Sequence, residues 1–209
     1  MIRRRLGLVA YEPTWRAMQA FNRARDPATP DQLWLLEHPA VYTLGLAGRR
    51  EHVRAPGAIP VVETDRGGQV TYHGPGQAVA YVLLDLRRQG IGVKELVRRL
   101  EQGLIDVLAG YGLEGGRRAG MPGVYVGVAK IAAVGLRVAR GCSYHGVALN
   151  AGVDLEPFAR IDPCGYPGLA TTRLADLGVR DSIDSVQQRL GDALANALAP
   201  AGAAAPTHA

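Results

Sequence analysis

The sequence predicts an α+β fold, a single domain in which a mixed β-sheet is flanked by helices, and three observations predict it. At 209 residues, 47% hydrophobic and 21% charged, the chain has material for one sizeable core. Its periodicities alternate between helices and runs of consecutive strands, not between single strands and single helices. No solenoid repeat and no Ser/Gly-rich linker divides it.

The elements follow in order. After a short apolar run at 6–10, Pro13 and Thr14 start a helix with Trp15, Met18 and Phe21 at helical spacing, which Asp26-Pro27 ends. Segments 33–36, 40–44, 60–63 and 77–84 are short, β-branched or aromatic and bounded by Pro or Gly, as strands are. From 93 to 111, Val93, Leu96, Val97, Leu100, Leu104, Val107 and Leu108 fall on one face of the longest helix, and Gly110 and Gly112 stop it. GVYVG, KIAAVGLRV and YHGVALN read as three successive strands, two of them joined across ARGCS. Ser182 caps a last helix with Ile183, Val186, Leu190, Leu194 and Leu198 as its buried stripe. The domain is expected over 1–199, and PAGAAAPTHA at 200–209 as a disordered tail.

Composition narrows the function classes. No stretch approaches the ~18 uninterrupted apolar residues of a membrane span, and the start lacks the apolar region of a signal peptide. A cytoplasmic chain without a membrane partner is therefore expected. Two cysteines, Cys142 and Cys164, make no disulfide framework. The formal charge of +5 favours acidic partners. Of 24 basic residues only Lys94 and Lys130 are lysines. A lysine can lose its proton when desolvated and so can serve as a base, which an arginine effectively cannot.

Three segments carry chemistry. RGGQVTYHGPGQ at 66–77 breaks a strand-like stretch with four glycines, which suits a backbone that bends tightly or lies against a ligand. It is neither a phosphate-binding loop nor a dinucleotide fingerprint. Lys130 opens an apolar strand, where it is either functional or a salt-bridged or snorkelling side chain at the sheet rim. Cys164, in DPCGYPG, sits among turn-forming residues whose backbone amides could hold an oxyanion. Cys142, three residues before His145, is the rival nucleophile. A zinc site from Cys142, His145, Cys164 and His73 has only one closely spaced ligand pair, so no metal is expected.

Together RGGQVTYHGPGQ, KIAAVGLRV, RGCSYHGVALN at 140–150 and RIDPCGYPG at 160–168 closely resemble the lipoyl(octanoyl) transferase family, in the family's order, over about 25–180. The resemblance implies the fold shared with biotin and lipoate protein ligases. It implies transfer of an octanoyl group from octanoyl-acyl carrier protein to a lysine of lipoyl domains, those of 2-oxoacid dehydrogenase E2 subunits and the glycine cleavage H protein, as the first step of endogenous protein lipoylation. Matched motif by motif, it puts the nucleophile on Cys164 and its activating lysine on Lys130. It puts substrate contacts on Arg66, Gly67, Gly68 and Gln69, on Val70, Thr71, Tyr72 and His73, on Ala133, Val134 and Gly135, and on Gly146, Val147 and Ala148, with His145 near the pocket. A thioester donor implies no ATP, no metal and no other cofactor. A monomer is expected.

Rival readings are an ATP-dependent lipoate or biotin protein ligase on the same fold, an octanoyl amidotransferase working between two lipoylated domains, and a non-enzymatic basic module. The last has scattered basic residues and few aromatics to stack bases, so no nucleic-acid partner is expected.

Overall fold

The computed structural model describes residues 1–163 and 168–199. In chain order its elements are β1 (Ile2–Leu8), α1 (Tyr11–Ala24), β2 (Gln32–Glu37), β3 (Val41–Leu44), β4 (Val61–Glu63), β5 (Val70–His73), β6 (Gln77–Leu83), α2 (Leu86–Gln89), α3 (Val93–Ala109), β7 (Gly116–Arg118), β8 (Met121–Val126), β9 (Ala129–Ala139), β10 (Cys142–Asn150) and α4 (Ile183–Ala197). Short 3-10 turns lie at Arg50–His52, Glu156–Arg160 and Leu174–Leu177.

A seven-stranded sheet runs β1-β2-β6-β10-β9-β8-β7 and a three-stranded sheet runs β4-β3-β5. In the large sheet β1 is parallel to β2 and every other pairing is antiparallel. The sheet is thus mixed, and β8, β9 and β10, the three strands expected in succession, form a meander.

Side-chain alternation on the central strands divides the core in two. Leu33, Leu35, Ala78, Ala80, Val82, Val147 and Leu149 pack with Leu96, Leu100, Leu104 of α3 and Leu190, Leu194 of α4. Trp34, Leu36, Val79, Tyr81, Leu83 and Ala148 pack with Met18 of α1. Because both faces of β6 are covered, its sequence is a continuous apolar run, not an alternating one. Ser182 caps α4 as expected, its hydroxyl accepting from the Ser185 amide at 3.3 Å.

Several boundaries differ from the sequence reading by one to a few residues, and two lie near the N-terminus. The first strand begins at Ile2 and takes in Arg3, Arg4 and Arg5. It is an exposed edge strand, so charge costs it nothing, and Arg3 pairs with Asp192 of α4 while Arg5 donates to Gln188 Oε1 at 2.7 Å. Helix α1 begins at Tyr11 instead of Pro13, since proline is tolerated in a first turn whose amides lack intrahelical partners. The tail 200–209 lies outside the described residues. Among the described residues no helix is long and apolar enough to cross a membrane.

Candidate active site

A cavity opens between the two sheets. Its walls are Val70, Thr71 and His73 of β5, Gln77, Val79 and Tyr81 of β6, Lys130 and Ala132 to Gly135 of β9, and His145 to Ala148 with Asn150 of β10. Tyr11, Arg66, Gly68, Gln69, Phe158, Pro163 and Thr171 complete it. Small residues on β9 and β10 keep it open over an apolar floor, a shape that accepts an alkyl chain.

Lys130 is 6% exposed. It pairs with Tyr125 across the β8–β9 hairpin, and its amine stands 5.5 Å from that ring's centre. The Lys130 Nζ donates to the Pro122 carbonyl at 2.8 Å. The backbone of Lys130 also forms a parallel bridge with Thr171: its amide donates to Ala170 O at 2.8 Å and its carbonyl accepts from the Thr172 amide at 3.0 Å. This bridge sets residues 170 to 172, which follow DPCGYPG in the sequence, beside Lys130. On the other side of Cys164 in the sequence, Ile161 and Asp162 are held by the Val53–Ile161 bridge and by the Asp162 amide, which donates to His52 O at 2.9 Å. Pro163, the residue before Cys164 in the sequence, and Thr171 both stand on the cavity wall. Cys164 itself lies outside the described residues.

Three histidines sit in the buried polar rim. His38 Nδ1 donates to Val9 O at 2.7 Å, which leaves Nε2 to accept from the Tyr81 hydroxyl at 2.7 Å. His73 Nδ1 donates to Gln77 Oε1 at 2.7 Å, Gln77 Nε2 donates to Asn150 Oδ1 at 2.9 Å, and Asn150 Nδ2 donates to Thr172 O at 3.0 Å. That chain ties the cavity to the segment bridged to Lys130. His145 Nε2 donates to Asp65 Oδ1 at 2.9 Å, and Asp65 also accepts from Trp15 and Gln19 of α1 and from Tyr144.

The electrostatics follow from these partners. Burial would raise the Asp65 carboxyl, but the hydrogen bonds from His145, Tyr144 and Gln19 outweigh it and hold it well below the usual carboxylate range. Burial lowers His145 despite the Asp65 partner. It pushes His38 down to about 4 and His73 down to about 3. Both are therefore neutral near pH 7, and for His38 the pairing of one donating and one accepting nitrogen requires it.

A pH prediction follows. Between the ordinary histidine value and these lowered ones the unfolded chain binds protons that the folded chain refuses. The stability these groups give is whole above pH ~6.5 and drains by about 1.4 kcal/mol per pH unit for each histidine as pH falls. Urea denaturation should give a folding free energy a few kcal/mol smaller at pH 5 than at pH 7; equal or greater stability at pH 5 would contradict it.

Of the residues expected in the pocket, Arg66, Gly68, Gln69, Val70, Thr71, His73, Ala133, Val134, Gly135, His145, Gly146, Val147 and Ala148 line it. Gly67 and Tyr72 stand off it. The Gly67 amide donates to Leu136 O at 2.8 Å, fastening the loop to β9, and Tyr72 packs against Tyr42 and Phe158 in the core of the small sheet. Arg66 is buried and its guanidinium clasps the Thr43 carbonyl and hydroxyl and Gly67 O, which shapes the loop. Residues the sequence did not mark include Tyr11, Gln77, Tyr81 and Asn150. Period-two spacing from Gln77 through Val79 to Tyr81 puts those three on one face of β6, a signal the continuous apolar run conceals.

The lipoyl protein ligase A/B catalytic-domain model matches residues 10–195. An octanoyltransferase of Thiobacillus denitrificans is 63% identical over 198 residues, 95% of this chain and 91% of the relative. One from Aromatoleum aromaticum is 59% identical over 96% of this chain and 87% of the relative. Among solved structures, lipoate-protein ligase A bound with ATP superposes with a TM-score of 0.76 at 18% identity, covering 95% of this chain and 86% of that one. A bipartite lipoate protein ligase of Thermoplasma acidophilum, studied with its E2 lipoyl domain, gives 0.73 at 18% identity over 95% and 84%. The structural likenesses speak to the fold.

Proposed function

The chain belongs to the lipoyl protein ligase A/B catalytic-domain family and its activity is octanoyl transfer, and from that premise we propose the route of the acyl group: from octanoyl-acyl carrier protein, through a thioester on Cys164, to the lysine amine of a lipoyl domain. The observation that supports this route is the bridge between Lys130 and Thr171, which ties a buried lysine on the cavity wall to a segment seven residues beyond Cys164 in the sequence.

The chemistry is two acyl exchanges. The Cys164 thiolate attacks the donor's thioester carbonyl, a new C–S bond forms, and the bond to the phosphopantetheine sulfur breaks, releasing a thiolate that takes up a proton. The acceptor lysine amine then attacks the acyl-enzyme, the C–N bond forms, and the Cys164 thiolate leaves. A cationic Lys130 beside the cysteine favours the thiolate in the first exchange. Once neutral it accepts the proton that the acceptor amine sheds in the second. The thioester supplies the driving force, so ATP and metal are not needed. The E2 and glycine-cleavage H-protein lipoyl domains are the acceptors, and the net charge of +5 favours acidic partners.

The test is transfer by the purified chain from octanoyl-acyl carrier protein to an apo lipoyl domain, with no nucleotide and with chelator present. The acceptor is expected to gain one octanoyl group on its target lysine. Transfer that occurs only from free octanoate with ATP would instead assign the ligase reaction.

A further inference from the structure

Beneath Lys130 lies a carboxylate that the proposed mechanism does not use. Glu101 of α3 is 7% exposed. Its Oε2 accepts from Arg117 Nε at 3.1 Å. Its Oε1 accepts from the Gly123 amide at 2.9 Å. The carbonyl of that same peptide unit, Pro122 O, accepts from Lys130 Nζ at 2.8 Å. No peptide bond among the described residues is cis, so the N–H and C=O of this group point in opposite directions. Carboxylate and amine thus face each other through a single peptide.

We propose that Glu101 is a positioning residue for Lys130: acting through the Pro122–Gly123 peptide, its carboxylate strengthens the Pro122 carbonyl as an acceptor and so fixes the Lys130 amine at the cavity wall. The inference rests on Lys130 serving the transfer. A negative charge on the N–H side polarises the peptide and makes its oxygen a stronger acceptor, and hydrogen bonds in series reinforce one another. Both groups are out of water, so the field between them is weakly screened.

The local backbone is built for this contact. Gly123 has φ +126, and a Cβ there would come within 2.7 Å of Lys130 Cε and 2.5 Å of Ala132 O. A residue with a side chain would occupy the place the lysine stem now takes. Among the described residues, the charged and titratable groups on the cluster include Arg117, which pairs with Glu101, Tyr125 of β8, and Arg118 of β7, whose guanidinium stands 4.6 Å from the centre of the Tyr125 ring. Residues 170 to 172 meet the backbone of Lys130 through backbone groups.

The test is a double-mutant cycle with a pH profile. Octanoyl transfer from octanoyl-acyl carrier protein to an apo lipoyl domain is measured from pH 6 to 10 for the full chain, Glu101→Gln, Glu101→Asp, Lys130→Ala and Glu101→Gln/Lys130→Ala. Glu101→Gln keeps an acceptor for the Gly123 amide and loses the charge. It is expected to move the profile about one pH unit toward acid, as loss of a nearby anion would, and to add nothing in the Lys130→Ala background. Glu101→Asp keeps the charge and is expected to move the profile less than Glu101→Gln does. An unshifted profile, or an equal fold-loss from Glu101→Gln with and without Lys130, overturns the inference and leaves the transfer mechanism standing. Full activity of Lys130→Ala instead overturns the role of Lys130 and the inference with it. A Glu101→Gln protein that melts far below the parent transfers the decision to Glu101→Asp, where a profile displaced by a full unit overturns the charge argument.

Discussion

Lys130→Ala is expected to reduce octanoyl transfer by roughly 10²- to 10⁴-fold, the usual cost of removing a general acid-base. Truncation removes both the cation that favours the cysteine thiolate and the base that relieves the acceptor amine. Lys130→Arg separates the two tasks. The guanidinium keeps its charge but does not give up its proton, so acylation of the enzyme is expected to survive better than delivery to the lipoyl domain. Rapid-quench measurement of each half-reaction distinguishes them. Full-rate delivery by Lys130→Arg would show that no proton passes through residue 130.

Cys164→Ser is the second large effect, a loss on the order of 10³-fold or more, because serine is a far weaker nucleophile and no base in the proposed mechanism activates a hydroxyl. The paired control is Cys142→Ala, expected to transfer within about twofold of the parent, as substitutions remote from a site do. Cys142 is 8% exposed, and burial raises its thiol above the ordinary range. It stands at the start of β10, beside Asn22, Arg25 and Arg140, while the cavity is met further along that strand at His145 to Ala148. At the usual strand rise, Cys142 and Ala148 are about 20 Å apart. A Cys142→Ala protein that loses transfer while Cys164→Ser retains it would exchange the two assignments.

The parts of this fold that could be read from sequence are those that carry their own periodicity. The stripes of α3 and α4 and the strand runs of β8 to β10 each announce an apolar face that must be covered. β1 could not be read this way, because an edge strand exposed on nearly every residue has no buried face to write into its pattern. Within the site, RGGQVTYHGPGQ and the strand around Lys130 were legible from residue types that are costly in their setting. Glu101, Asp65 and Asn150 were not. A glutamate in a helix or an aspartate before a loop is ordinary until the topology sets it against a buried partner. Glu101 meets the Pro122–Gly123 peptide only because α3 packs on β8, and Asn150 reaches Gln77 only because β10 is the antiparallel neighbour of β6. Tyr72 is the converse case: it stands inside the glycine-rich motif, yet it belongs to the small sheet's core.

Intact-protein mass spectrometry with peptide mapping, after mixing the chain with octanoyl-acyl carrier protein and no acceptor, tests the thioester route most directly. The expected result is one octanoyl group per chain, on Cys164, labile to hydroxylamine and discharged when an apo lipoyl domain is added. An adduct on any other residue, or acceptor octanoylation at full rate with no enzyme-bound acyl group, would contradict it.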